Sequence, residues 1–155
     1  MEVVKYPGRN IMETPKVQIV HCDPKVIYNE FPPNIDQIKA VFPLACESTI
    51  FAYGDKIYVP SGIEIPPEIL AHERIHCERQ LAIGLDQWWD QYFFDKQFRL
   101  MEEVIAHQVE YQFLRGLYPG AHRKHAILEH VAKKLSHEIY GNLCSLKRAK
   151  ELVKQ

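Results

Sequence analysis

Ala71-His72-Glu73-Arg74-Ile75-His76-Cys77 contains the spacing His-Glu-x-x-His. On a helix, side chains four apart lie one above the other on one face, so both imidazoles stand near enough to bind a single Zn²⁺ through ring nitrogens. Glu73, one residue along from His72, points about 100° away, which suits a base acting on zinc-activated water better than a ligand. The pattern is short, so its surroundings decide its meaning.

Upstream, Ser61-Gly62-Ile63-Glu64-Ile65-Pro66-Pro67 supplies a turn and then prolines suited to the first turn of a helix, where a missing N–H costs little. Ile69, Leu70, Ile75, Leu81 and Ile83 continue a mostly helical pattern as far as Gly84, a C-terminal stop. The motif is expected mid-helix. The plainer alternative is an exposed helix whose histidines and glutamate only meet solvent.

A catalytic zinc needs a third protein ligand and one open position. Phe98 to Tyr111 is a run of good helix formers with no Gly or Pro, in which Glu103, His107 and Glu110 share a face while Phe98, Met101, Ile105 and Val109 can turn inward. Glu103 is the expected ligand. Small Ala106 lets two helices approach, and His107 sits one turn on, as a partner that orients a ligand or as an alternative ligand. Glu110 stands as a further such partner, and Glu102 as the rival ligand should the helical phase differ by one residue. The plain alternative is a solvated acidic pair.

His72-Glu73-Arg74-Ile75-His76, followed by Arg79-Gln80, Gly84, Trp88-Trp89, Tyr92, Arg99 and Glu103-x-x-Ala106, resembles the gluzincin metallopeptidases, in particular small single-domain phage and bacterial zincin-like proteins. Asp55-Lys56-Ile57-Tyr58-Val59-Pro60 resembles the strand that precedes the active-site helix in that group. The match runs over residues 48–111. It implies zinc held by His72, His76 and Glu103, with Glu73 as general base. The chain carries His107 where small zincins often have an aromatic, and it shows no clear equivalent of the Tyr or His that larger gluzincins set against the oxyanion.

At 155 residues and 46% hydrophobic content, the chain suits one domain with a real core, residues 17–155, after an irregular arm at residues 1–16. Nineteen basic and 20 acidic residues leave a net charge of −1, so nothing draws the whole molecule to nucleic acid or an anionic membrane. No run of 18 apolar residues occurs and the start lacks a signal-peptide pattern, which points to the cytoplasm, that of a host if the protein is phage-encoded. Four scattered cysteines give no disulfide framework, and Cys77 is expected as a small buried hydrophobe.

The elements expected from sequence are a strand at Val17–Val20, a helix from Pro33 or Asn34 to Val41-Phe42, and a hairpin of Thr49–Tyr53 and Lys56–Val59 about Gly54-Asp55. After residue 66 the chain reads as almost wholly helical. Leu85 to Asp95 packs five aromatics into a short span, as core or cleft wall, while Asp86, Asp90 and Asp95 read as helix caps or, second to that, as groups that orient a zinc histidine. Tyr58, Trp88 and Tyr111 are candidate walls of a substrate cleft. Ala126, Ile127, Val131, Leu135 and Ile139 predict a helix across the catalytic pair, ended by Gly141-Asn142. His122-x-x-His125 is a weak metal signal. Arg123, Lys124, Lys133, Lys134, Lys147, Arg148 and Lys150 form a basic face, either solvated or open to nucleic acid.

The whole predicts an α+β, zincin-like domain, a small N-terminal sheet on a mainly helical second half. Its expected activity is zinc-dependent hydrolysis of a peptide bond in a peptide or protein substrate, with one Zn²⁺ per chain and no membrane partner. The alternatives are an inactive zincin-like binding or structural protein, for example phage-encoded, and a DNA-associated protease. Lys56–Val59 or its hairpin partner, if it edges the cleft, would align an extended peptide.

Overall fold

Gly54-Asp55 turns the chain between β2 (Phe51–Tyr53) and β3 (Lys56–Val59), which pair antiparallel with Phe51 opposite Tyr58, as the hairpin spacing requires. These elements belong to a computed structural model that describes residues 20–155. The expected arm at 1–16 and most of the expected strand at 17–20 lie outside the described residues; Val20 itself is exposed coil. The strand the sequence reading missed is β1 (Lys25–Tyr28), which lies parallel to β3 with Lys25 opposite Lys56. Its ends are exposed and only its middle is half-buried, too short an alternation to announce a strand.

The sheet order is β1-β3-β2, so β3 is central and β2 is an edge. Between β1 and β2 runs α1 (Ile35–Val41), which follows Asn34 as expected. The sheet rests on α2 (Pro67–Ile83). Gly84 ends α2 at φ +106°, a conformation L side chains rarely adopt, and turns the chain into α3 (Leu85–Phe94). Asp95 then caps α4 (Lys96–Leu117), accepting from the N–H groups of Gln97 and Phe98, whereas Asp86 and Asp90 cap nothing among the described residues. α5 (Ala121–Leu135) and α6 (Leu146–Val153) complete the six helices, with a 3-10 turn at Glu138–Tyr140 between them. The architecture is α+β.

Three apolar clusters form the core. One joins α1, the hairpin and α3 through Ile38, Phe42, Phe51, Trp88 and Phe93. Another joins α4, α5 and α6 through Val104, Leu114, Val131, Leu135 and Leu152. A small one, with Ile57, Val59 and Cys77, seats the sheet on α2. Cys77 is indeed wholly buried.

In α2 the apolar residues Ile69, Leu70 and Ile75 are only half-buried and Leu81 is exposed, while His72, Glu73, His76 and Gln80 are buried. Of the four α4 residues expected to turn inward, Phe98 alone is buried. Met101, Ile105 and Val109 are half-buried, whereas Glu102, Glu103, His107 and Glu110 lie in the interior. The α2–α4 contact is therefore a polar seam between apolar clusters. The helix expected through Ile139 stops at Leu135, and this helix, α5, packs on α4.

Candidate metal centre

The seam brings three donors together. His72 and His76, one turn apart on α2, set their Nε2 atoms 3.2 Å from each other, and Glu103 of α4 places Oε1 3.3 Å from His76 Nε2 and Oε2 3.6 Å from His72 Nε2. Ligands about 2.0–2.1 Å from a tetrahedral zinc stand about 3.3 Å from one another, so the spacing fits that ion. Glu103 Oε2 is buried and has no hydrogen-bond partner in the protein, as a ligand oxygen awaiting a cation would be. The residues fit a metal.

A second group, His72, His107 and Glu110, shares His72 with the first. His72 Nδ1 faces Glu110 Oε2 at 3.3 Å, while Lys134 of α5 ion-pairs with the other Glu110 oxygen. His107 Nδ1 lies 2.7 Å from the Glu103 carbonyl, which can only accept, so Nδ1 carries the proton. Lys134 already offsets the Glu110 charge, and Arg79 that of Glu102. Glu110 orients the His72 ring and His107 holds the Glu103 backbone behind the first donor group, while His107 Nε2 and Glu110 Oε2 are themselves buried without a hydrogen-bond partner.

Glu102 is not a ligand. Its carboxylate takes three contacts from Arg79, Nε at 3.1 Å to both oxygens and Nη2 at 2.6 Å, and accepts from Trp88 Nε1 at 3.0 Å. Neighbouring glutamates thus divide their work, one tying α2 and α3 to α4 and the other facing the histidines. Gln80, fully buried, does a similar job for the sheet: it donates to the Ala52 carbonyl and accepts from the Gly54 N–H, occupying that stretch of the β2 edge.

Glu73 is buried beside the donors, its Oε1 4.0 Å from His72 Nε2. Burial raises its pKa above the ordinary carboxylate value, against the pull of His72 and His76. For His76 burial opposes the charge, but Glu103, Glu73 and Glu102 outweigh it and push the imidazole up to about 9. For Glu103 burial likewise opposes the charge, yet His76, His72 and His107 hold the carboxyl well below its usual range. Burial, with His72 adjacent, lowers His107 to about 4 and keeps it neutral.

A cleft of about 100 Å³ opens onto His72, Glu73, His76 and Glu103. Phe42, Phe51, Trp88, Trp89 and Tyr92 wall it, with Thr49 to Ala52 along the edge-strand side. Trp88 is where the sequence reading expected it. Tyr58 and Tyr111 are not: the first lies in the α1–hairpin–α3 cluster and the second in the α4–α6 cluster, so neither lines the cleft.

Two tyrosines were not foreseen as site residues. Tyr92 donates to Glu103 Oε1 at 2.5 Å, and burial keeps its phenol protonated. Tyr140, from the 3-10 turn, lines the cleft and sets its ring edge-on to His107, with centroids 5.7 Å apart. Burial and the Glu103 charge hold its pKa well above the ordinary value, so its phenol too stays protonated. Tyr92 stands in the stretch that carries the family resemblance, a usable signal; Tyr140 follows no periodic pattern and has none. His122 and His125 are exposed and join no metal-capable group among the described residues. Of the seven basic-face residues, Lys133 and Lys150 pair with Glu129, Arg148 with Glu151 and Lys134 with Glu110. Among the described residues, no helix is long and apolar enough to cross a membrane. Comparison with protein-family models, with curated proteins and with solved structures returned no match.

Proposed function

We propose that the protein is a zinc-dependent peptidase of zincin type. The observation that carries this reading is Glu73, a buried carboxylate beside a three-donor group yet outside it, opening on the same cleft. A site built only to staple two helices has no use for such a base. The α+β arrangement, with an edge strand along the cleft beside the His-Glu-x-x-His helix and a glutamate from a later helix, supports the zincin assignment.

His72, His76 and Glu103 would hold one Zn²⁺, which supplies Lewis acidity that polarises a carbonyl and makes water easier to deprotonate. Glu73, its pKa raised by burial, accepts the proton of the attacking water and passes it to the departing amine. Tyr140 donates a hydrogen bond toward the carbonyl oxygen as negative charge develops there. Glu110 and the charge of Lys134 behind it keep the His72 ring turned toward its task. β2, not the central β3, offers its edge to an extended peptide, and only beyond the part that Gln80 occupies.

Glu73→Gln keeps the shape and removes the base. It is expected to retain zinc and fold while hydrolysis of a peptide library falls about 10²-fold or more. A wild-type protein with full zinc occupancy that cleaves nothing across a broad library, and a Glu73→Gln protein identical to it, would replace this reading by that of an inactive zincin-like protein whose metal binds α2 to α4.

A further inference from the structure

The wall of the cleft that carries Ile139 and Tyr140 is a loop, seated at its far end by buried Leu143 and held by few hydrogen bonds. Residues 137–144 make their hydrogen bonds among themselves or back to α5: Gly141 N–H to Glu138, Tyr140 N–H to His137, His137 N–H to Lys134, and Ile139 N–H to the His137 ring. Among the described residues, one hydrogen bond joins this stretch to another element. It is donated by Arg99 Nε to the Tyr140 carbonyl, at 2.9 Å.

Arg99 has no carboxylate partner among the described residues, although it is 7% exposed. Its guanidinium is instead spent on backbone. Nη1 donates to the Tyr92 and Phe93 carbonyls at 2.7 and 3.2 Å, in the last turn of α3, where carbonyls lack helical partners and positive charge is favoured. The plane lies over the Phe42 ring, 5.1 Å from its centroid. Gly141, at φ +83°, lets the loop pass close: a Cβ there would meet Arg99 Nη2 at 3.3 Å. One side chain thereby links the element that carries Tyr92, which donates to Glu103, to the loop that carries Tyr140, which lines the same cleft. A lysine could not reproduce this, since it lacks the fork of fixed donors that reaches two elements at once.

We propose that Arg99 is a positioning residue that latches the 136–145 loop against α3, so that Tyr140 forms the cleft wall beside Glu103. The catalytic part of this role rests on the peptidase reading; the latch itself does not. Arg99→Lys in the full-length, zinc-loaded protein is expected to speed amide hydrogen exchange selectively at residues 137–144, with exchange in α2 and α4 and the zinc content unchanged. Gly141→Ala, which strains the same contact from the loop side and leaves Arg99 in place, is expected to give the same local pattern. In peptide hydrolysis Arg99→Lys should lower kcat by about the same factor as Tyr140→Phe, and the double variant should be no worse than Tyr140→Phe alone.

Unchanged exchange at 137–144 in both variants overturns the latch, and so does exchange that rises throughout the molecule, which marks a merely structural arginine. A double variant whose loss is the product of the two single losses shows that Arg99 acts independently of Tyr140, and overturns the positioning role. A wild type without hydrolysis refutes the peptidase reading, and the exchange pattern then still decides the latch.

Discussion

Glu102 and Glu103 are adjacent in sequence and nearly equal in burial, and their environments give them opposite fates. Glu102 is saturated by Arg79 and Trp88, whereas Glu103 keeps an oxygen without a protein partner. Glu103→Ala is therefore expected to lose zinc while Glu102→Ala keeps it. The latter leaves the half-buried Arg79 guanidinium and the buried Trp88 N–H without their acceptor, which costs about 1–3 kcal/mol, so the variant that binds metal should still lose fold stability; metal analysis beside chemical denaturation reads both. His76 adds a pH dependence. Its folded pKa is raised, so its contribution to the stability of the chelated protein is full below 6.5 and is lost as pH rises to about 9. Zinc must displace that proton, and uptake at neutral pH should release about one proton per ion, falling to none above the raised pKa. Calorimetry of zinc binding in buffers of different ionisation enthalpy counts the released protons; no release at neutral pH would contradict the assignment.

At the scale of the element, the helix boundaries around the motif were legible because they rest on local chemistry: Pro67 at the start of α2, Gly84 at its end and Asp95 capping α4. The helical faces were not. Pattern reading sends hydrocarbon inward, and where α2 meets α4 the buried residues are polar, because Glu102, Glu103 and Glu110 find their partners on other elements. The same reason hid Gln80. Its amide completes the hairpin as a short strand would, and Gln80→Leu leaves the Ala52 carbonyl and the Gly54 N–H unpaired at similar side-chain volume. The expected cost is about 1–3 kcal/mol per buried group left unsatisfied, read as a lower denaturant midpoint at unchanged slope. His72, His76 and Glu73 were legible from spacing alone, and Glu103 from its place in the helix after the aromatic run. Tyr140 was not legible, since only the return of the chain after α5 brings it to the cleft, and nothing in residues 136–145 announces that path.

Over the whole molecule, the polar seam lies between the α1–hairpin–α3 cluster and the α4–α5–α6 cluster, and α2 with its sheet leans on α4 across it. Chelation is expected to loosen that junction first. Hydrogen exchange should rise along α2 while the amides near Val131, Leu135 and Leu152 stay protected, and zinc at a hundredfold excess over its Kd should restore about 2.7 kcal/mol. Uniform loss of protection would show that the metal supports the molecule as a unit. The seam also sets the terms on which this chain can evolve. Buried ion pairs and polar groups are often matched or exceeded in stability by well-packed hydrocarbon of similar volume, so the Glu110–Lys134 pair and the neutral His107 beside it stand at positions open to apolar replacements that tighten the fold. A population of variants screened for heat resistance alone should therefore drift toward an oily interior at those positions and end as robust proteins with weakened zinc binding; only a screen that also scores metal uptake or the proposed hydrolysis will keep the polar groups where they are.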